Sequence, residues 1–376
     1  GGTGEIHADQ HLLKFHPNYA QGTRRLYSTN DGGVAYTAND AGPVRTGPEA
    51  ACGRGSGVVH WTTIEQGLGS SQFYTGAVSA SGRVWLGGTQ DNGTLLQNPF
   101  SVGNTFNHIF GGDGASVAID PRNDSTLYVS YQNVNIHRSI NGSAFVRATN
   151  GIVDETVFIM PFVLDPLSPN RLYAGGSRLW RTTDQGRNWV AASASLGGSF
   201  TDRISAIGLS PVNNNRILLG NQRAIFRSEI AASSTASTTF AAVSPRSGWV
   251  SSLTFDPADA NLAYATYSTF GGAHVWRSVD AGATWTAIDG VGNGALPDIP
   301  VHHLVVDPGN RQRLYIGTDI GVFVTLDGGQ HWARESGGFA NVIVERLAIG
   351  PGPTSGSPMH LYAFTYGRGA WRVPLS

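Results

Sequence analysis

Short apolar runs recur along this chain, and most of them stop at a turn residue. "VAIDP" ends at Pro121, "FVLDP" at Pro166, "IGLSP" at Pro211, "LTFDP" at Pro257, "LVVDP" at Pro308 and "LAIGP" at Pro351. A second run follows each: "TLYVSY", "RLYAGG", "RILLG", "LAYATY", "RLYIGT" and "HLYAFT". Then comes a third: "NIHRS", "RLWRT", "AIFRS", "HVWRS", "GVFVT" and "GAWRV". Runs this short, rich in β-branched and aromatic residues and bounded by Gly, Pro, Asn and Asp, predict strands. The first run of each set is almost wholly apolar, as the innermost strand of a sheet would be. Proline at its end removes no ladder hydrogen bond.

A third series fixes the period. "TTDQGRNW" (Thr182 to Trp189), "SVDAGATW" (Ser278 to Trp285) and "TLDGGQHW" (Thr325 to Trp332) share the form Ser/Thr-x-Asp-x-Gly-x-x-Trp, and "SINGSAF" at Ser139 is a decayed copy. Asp184, Asp280 and Asp327 stand at multiples of about 47 residues, within the ~40–50 residues of a four-stranded propeller blade. The pattern predicts an all-β chain, a single β-propeller of four-stranded antiparallel blades spanning 1–376 as one domain. Seven full units start near 11, 73, 115, 158, 203, 250 and 300, and a three-strand remainder covers 342–375. Residues 1–6 are expected to add its fourth strand and close eight blades without a covalent join. A seven-bladed ring, or a fragment of a longer multi-propeller protein, is the alternative.

Composition narrows the function classes. The chain has 376 residues with net charge −1, 50 glycines and only 14% charged residues. Such balance lacks the basic footprint of a nucleic-acid binder. No apolar run reaches the ~18 residues of a membrane helix, and no leader sequence is visible. Cys52 is the single cysteine, so no internal disulfide framework exists. It reads as a free loop thiol rather than a nucleophile.

The Ser/Thr-x-Asp-x-Gly-x-x-Trp turn resembles the Asp-box, or BNR repeat, of sialidases, xyloglucanase-type (family 74) glycoside hydrolases and sortilin-type receptors. "RLYIGTDIGVFVTLDGGQHW" looks most like the xyloglucanase and sortilin groups. "HADQH", "NDGG", "QDNG" and "TYGRGAWR" look like secreted bacterial repeat proteins. The resemblance implies a secreted, extracellular or periplasmic, glycoside hydrolase-like propeller that binds a polysaccharide or glycan with paired aspartates. A non-catalytic, sortilin-like binder of peptide, protein or glycan is the alternative. In xyloglucanase-type enzymes an Asp in a Thr-Asp-(Ile/Val)-Gly turn is catalytic. That match makes Asp319 ("TDIG") and, more loosely, Asp31 ("NDGG") the candidate acid and base. The same family sets its acids on two propellers, so a second propeller domain or chain is an implied partner. A sialidase is disfavoured, because "DRISAI" lacks the proline of the Arg-Ile-Pro motif.

Strand alternation sorts the loops onto two faces. The 1–2 and 3–4 connections share one, with the Asp-containing turns. The 2–3 hairpins and the inter-blade links share the other, the expected channel mouth. There stand Asp31, Asp91 and Asp319 in hairpins and Asp113 in a link. Tyr267, Phe270, Tyr366 and Arg368 stand there too, as substrate-binding candidates. Asp before Gly is ordinary turn chemistry, so the case is collective: several acids on one mouth raise one another's pKa and attract cations or sugar hydroxyls. His7, Asp9 and His11 alternate in the link "HADQH", and on an extended segment all three point one way. They are candidate ligands for Ca or Zn; no cofactor is otherwise required.

Overall fold

A computed structural model of the protein describes residues 7, 9–38, 60–64, 69–101, 103, 105–335, 339, 341–354 and 356–375. Cys52 and the predicted closing strand at 1–6 lie outside the described residues. The chain divides into two compact units, Gly1–Ser70 and Ser71–Ser376. All the sheets are antiparallel, and three short 3-10 turns are the only helical segments among the described residues.

The first unit holds one four-stranded sheet that begins with Gln10–Phe15. The second holds seven. Their first strands are Phe73–Val78, Val117–Asp120, Phe162–Leu164, Ala206–Leu209, Val250–Phe255, Val301–Val306 and Val344–Pro351. Six sheets have four strands in chain order, and the last has three. Each first strand packs beside the next, and Val344–Pro351 packs beside Phe73–Val78.

The core lies between the faces of adjacent sheets. Tyr128 and Ile136 of one sheet meet Phe162, Leu172 and Trp180 of the next. At the junction of the last sheet with the first of this unit, Phe73, Trp85, Tyr362 and Phe364 form one aromatic cluster. Trp85 meets Tyr362 edge-on at 4.7 Å. Glycine permits the close approach here: a Cβ on Gly76 would lie 2.3 Å from the Phe364 ring. Hydroxyls near the starts of the first strands also stitch neighbours together. Ser116 Oγ donates to Met160 O at 2.8 Å, Ser205 Oγ to Val250 O at 2.7 Å and Ser251 Oγ to Val301 O at 2.6 Å.

Two turn motifs hold the end of the sheets away from the mouth. In the Ser/Thr-x-Asp-x-Gly-x-x-Trp turns the hydroxyl donates to the carboxylate: Thr182 to Asp184 at 2.7 Å, Ser278 to Asp280 and Thr325 to Asp327 at 2.8 Å. The carboxylate accepts the N–H four residues on, from Asn188, Thr284 and His331. Trp189 and Trp332 donate their indole N–H to carbonyls of the preceding sheet, Ala148 O and Ile288 O. The second motif closes the turn after the first strand. Buried Asp120, Asp165, Asp256 and Asp307 each accept the N–H two residues on and an arginine. All seven carboxylates are thereby committed to structure.

Candidate functional site

A cavity of about 740 Å³ runs through the second unit, walled by residues of all seven first strands. Its mouth is shaped by one repeated irregularity. In Phe73–Val78, Val250–Phe255, Val301–Val306 and Val344–Pro351 the pairing with the second strand skips one residue. The skipped residues are Tyr74, Ser251, His302 and Glu345. A bulge leaves its extra residue unpaired and re-aims the side chain. All four line the cavity.

His302 meets the hairpin between strands two and three of its own sheet. His302 Nε2 lies 2.7 Å from Asp319 Oδ1, and its Nδ1 lies 3.6 Å from Glu345 Oε2 of the next sheet. Asp319 is aimed by its turn: Thr318 Oγ1 donates to Gly321 O at 2.8 Å and accepts Ile320 N–H at 3.2 Å. Burial pushes the Glu345 carboxyl upward, the Asp319 charge adds to this, and His302 opposes it; the net shift is upward. Burial presses the His302 imidazolium downward, but the Asp319 hydrogen bond and the Glu345 charge outweigh it and the net shift is upward. The result is a protonatable cluster of two carboxyls joined by one imidazole.

The cluster continues round the mouth. The rings of Tyr74 and Tyr366 lie 6.1 Å apart, and the Tyr366 hydroxyl donates to Gln90 Oε1. Burial raises the Tyr74 phenol well above its ordinary value, with Tyr366, Asp113, Asp91 and Glu345 adding to it. Asp113 N–H donates to Gln132 Oε1 at 3.3 Å. Asp91, Asp113, Asp319 and Tyr366 therefore share one mouth, as their loops predict. Glu345 joins them from inside a strand.

The other arc of the mouth is aromatic. Phe158, Phe200 and Phe270 are exposed, and half-buried Trp249 stacks with Phe200 at 6.4 Å and 26°. Arg246 clamps the hairpin that carries Phe270, donating to Ala273 O at 2.8 Å and Thr269 O at 3.1 Å. Asp298 holds the same hairpin by accepting Gly271 N–H at 2.8 Å.

Tyr267 is a correction. The strand Ala263–Tyr267 runs through it, and its pairing with Val250 turns the ring into the core, where it is fully buried beneath Arg246. A sugar platform needs an open ring face. Arg368 is exposed and its Nη1 donates to Gly367 O at 3.0 Å.

No protein-family model and no curated protein matches the sequence. Solved structures do. The GH74 xyloglucanase from Xanthomonas campestris superposes with a TM-score of 0.61 at 19% identity, covering 81% of this chain and 52% of that one. YCF48 from Cyanidioschyzon merolae superposes at 0.60 with 12% identity, covering 81% of this chain and 96% of that one. The fold is a β-propeller. At these identities the likeness concerns architecture, and the chain spans about half the length of the xyloglucanase.

The propeller repeat also explains the first unit. There the pairing of Gln10–Phe15 skips His11, and His11 Nε2 contacts Asp31 Oδ1 of the following hairpin. This is the His302–Asp319 arrangement at the equivalent position. The candidate metal ligands differ from the expected trio. His7, Asp9 and Asp31 bring ligand atoms within 4.8 Å of one another, whereas His11 pairs with Asp31. Asp9 adopts a left-handed φ of 55°, so the segment is not extended and the 7–9–11 alternation fails. One imidazole and two carboxylates fit a zinc-like ion better than calcium, which takes oxygen ligands.

Sequence reading missed Glu345, Phe158, Phe200 and Trp249. The only sequence signal for Glu345 is its place one residue after the start of an apolar first strand, where His302 stands in the preceding repeat.

Proposed function

We propose that this chain is a secreted, carbohydrate-active propeller, glycoside hydrolase-like, taking a glycan at the channel mouth. In this reading the seven sheets of the second unit are blades of one closed ring and the three repeated turns are Asp-boxes. The observation that carries it is the division of the mouth. Carboxylates and phenols occupy the arc of Asp319, Glu345, Tyr74, Tyr366, Asp91 and Asp113. Open aromatic rings occupy the arc of Phe158, Phe200, Trp249 and Phe270. A pyranose has these two requirements: an apolar face that stacks on a ring, and a rim of hydroxyls that donate to carboxylates.

Asp319 and Glu345 flank His302, at 2.7 and 3.6 Å from its two nitrogens, which keeps their carboxyls below the ~9.5 Å upper limit that glycoside hydrolysis uses. Burial shifts the Glu345 carboxyl upward, the direction that suits the acid that protonates the leaving oxygen. Asp319, hydrogen-bonded to His302, is the base. Asp31, paired with His11 in the same way, is the corresponding candidate carboxylate of the first unit's own sheet. Asp91, Asp113, Tyr366 and Arg368 hold hydroxyls, and Phe270 stacks.

A glycan array combined with a polysaccharide hydrolysis panel tests the reading. Binding with turnover that falls at least about 100-fold in Glu345→Gln and Asp319→Asn is the expected result. Binding without turnover leaves the sortilin-like, non-catalytic alternative. Binding of no glycan refutes the proposal.

A further inference from the structure

Inside the mouth, one step beyond the bulge residues, the charge reverses. Arg346 follows Glu345, and His303 holds the same place in the neighbouring strand, after His302. Both line the central cavity. Among the described residues Arg346 makes no ion pair and no side-chain hydrogen bond. Arg346 is the one arginine among the described residues that line this cavity. The His303 Nδ1 accepts the backbone N–H of Leu347 at 3.4 Å. Burial and the nearby Arg346 hold its pKa well below the ordinary value, so the ring is neutral and its Nε2 carries the proton. The pair therefore offers hydrogen-bond donors and a fixed positive charge, with no acceptor between them. Burial alone lowers the Arg346 pKa, to about 10, which agrees with a guanidinium that has no carboxylate beside it.

Arg346 is half-buried in the cavity wall without a counter-ion, and its planar fork matches a carboxylate in bidentate fashion. We propose that Arg346, with His303, is a carboxylate-binding subsite within the channel, and that the glycan taken at the mouth bears a uronic acid. The specificity claim rests on the glycan reading above. The acids at the mouth disfavour a carboxylate at the rim, so the ligand's carboxylate is placed at Arg346 and its hydroxyls at the rim. No covalent step is involved.

The test is calorimetric titration of the whole chain with trigalacturonate and with its carboxyl-reduced counterpart. A C-terminal free-acid peptide and its amide form a third arm. The wild type is expected to bind trigalacturonate at least about tenfold more tightly than the reduced sugar, as one charge-assisted contact implies. Arg346→Gln should erase that ratio by weakening trigalacturonate at least about tenfold more than the reduced sugar; Arg346→Lys should retain part of it. Arg346→Gln should melt close to wild type, since Arg346 is half-buried and holds no ion pair or side-chain hydrogen bond to lose. A wild type that binds both sugars equally, or an Arg346→Gln that still discriminates, overturns the subsite. Binding of the reduced sugar alone would leave the glycan reading standing and refute this one. Carboxylate-dependent binding of the peptide with no sugar binding would refute the glycan assignment.

Discussion

Gly76 tests how the second unit is held together. It lies in the strand Phe73–Val78, and its missing side chain makes room for Phe364 of the last sheet. In Gly76→Ala the new Cβ would stand 2.3 Å from Phe364 Cγ and Cδ1 and 2.4 Å from Cδ2, over the face of the ring. Carbon atoms in comfortable contact stand about 3.5–4.0 Å apart, so more than an ångström must be found. Phe364 cannot easily supply it. It is fully buried and meets Phe73 at 5.6 Å and 68°. The junction must open, and overpacking of this kind costs about 1–3 kcal/mol, the upper end applying to so confined a ring. In a domain this large that lowers Tm by roughly 2–10 °C. Thermal melts of wild type, Gly76→Ala, Phe364→Ala and the double variant measure it. Phe364→Ala alone should cost about 3–5 kcal/mol. In the Gly76→Ala background the loss should shrink by at least about 1 kcal/mol, because the clash is gone. A Gly76→Ala protein melting within about 1 °C of wild type, or strict additivity in the double variant, would refute the reasoning.

Other expectations follow from the electrostatics and the mouth. Hydrogen bonds overcome burial and hold Asp184 and Asp280 at about 2, below the ordinary 3.8. Their stabilisation is present above that ordinary value and is lost as pH falls toward 2, so Asp184→Asn/Asp280→Asn should flatten acid unfolding followed by circular dichroism. The raised His302 pKa means its contribution is present below 6.5 and fades as pH rises through the raised value. Glu345→Gln should lower the His302 pKa in an NMR titration; an unchanged value would break the proposed coupling. Trp249→Ala should weaken glycan binding by about 10–100-fold, as losing one stacked ring would, with Tm changed by less than the Gly76→Ala shift.

The repeat was legible because its signals are local. First strands were expected near 73, 115, 158, 203, 250, 300 and 342 and begin at Phe73, Val117, Phe162, Ala206, Val250, Val301 and Val344. Alternation of strand direction then placed Asp91, Asp113 and Asp319 on one mouth. What failed depends on single-residue register. Tyr267 reads as a hairpin residue from "YSTF", yet one more ladder pair buries it. Glu345 reads as an ordinary polar position until the skipped pairing turns it to the cavity. Asp9 breaks the expected alternation through its backbone φ, which no periodicity reports. Arg346 is notable only for the partner it lacks, a property of space rather than of sequence.

The skipped residue has an evolutionary consequence. Five sheets use the same backbone device, yet the residue it presents is histidine, tyrosine, serine, histidine or glutamate. Because that residue takes no part in the ladder, exchanging it leaves the hydrogen-bonded frame intact. Each sheet thus offers a socket whose plug can be swapped by one codon, so that duplicated copies of one unit could diversify in chemistry while remaining interchangeable in shape.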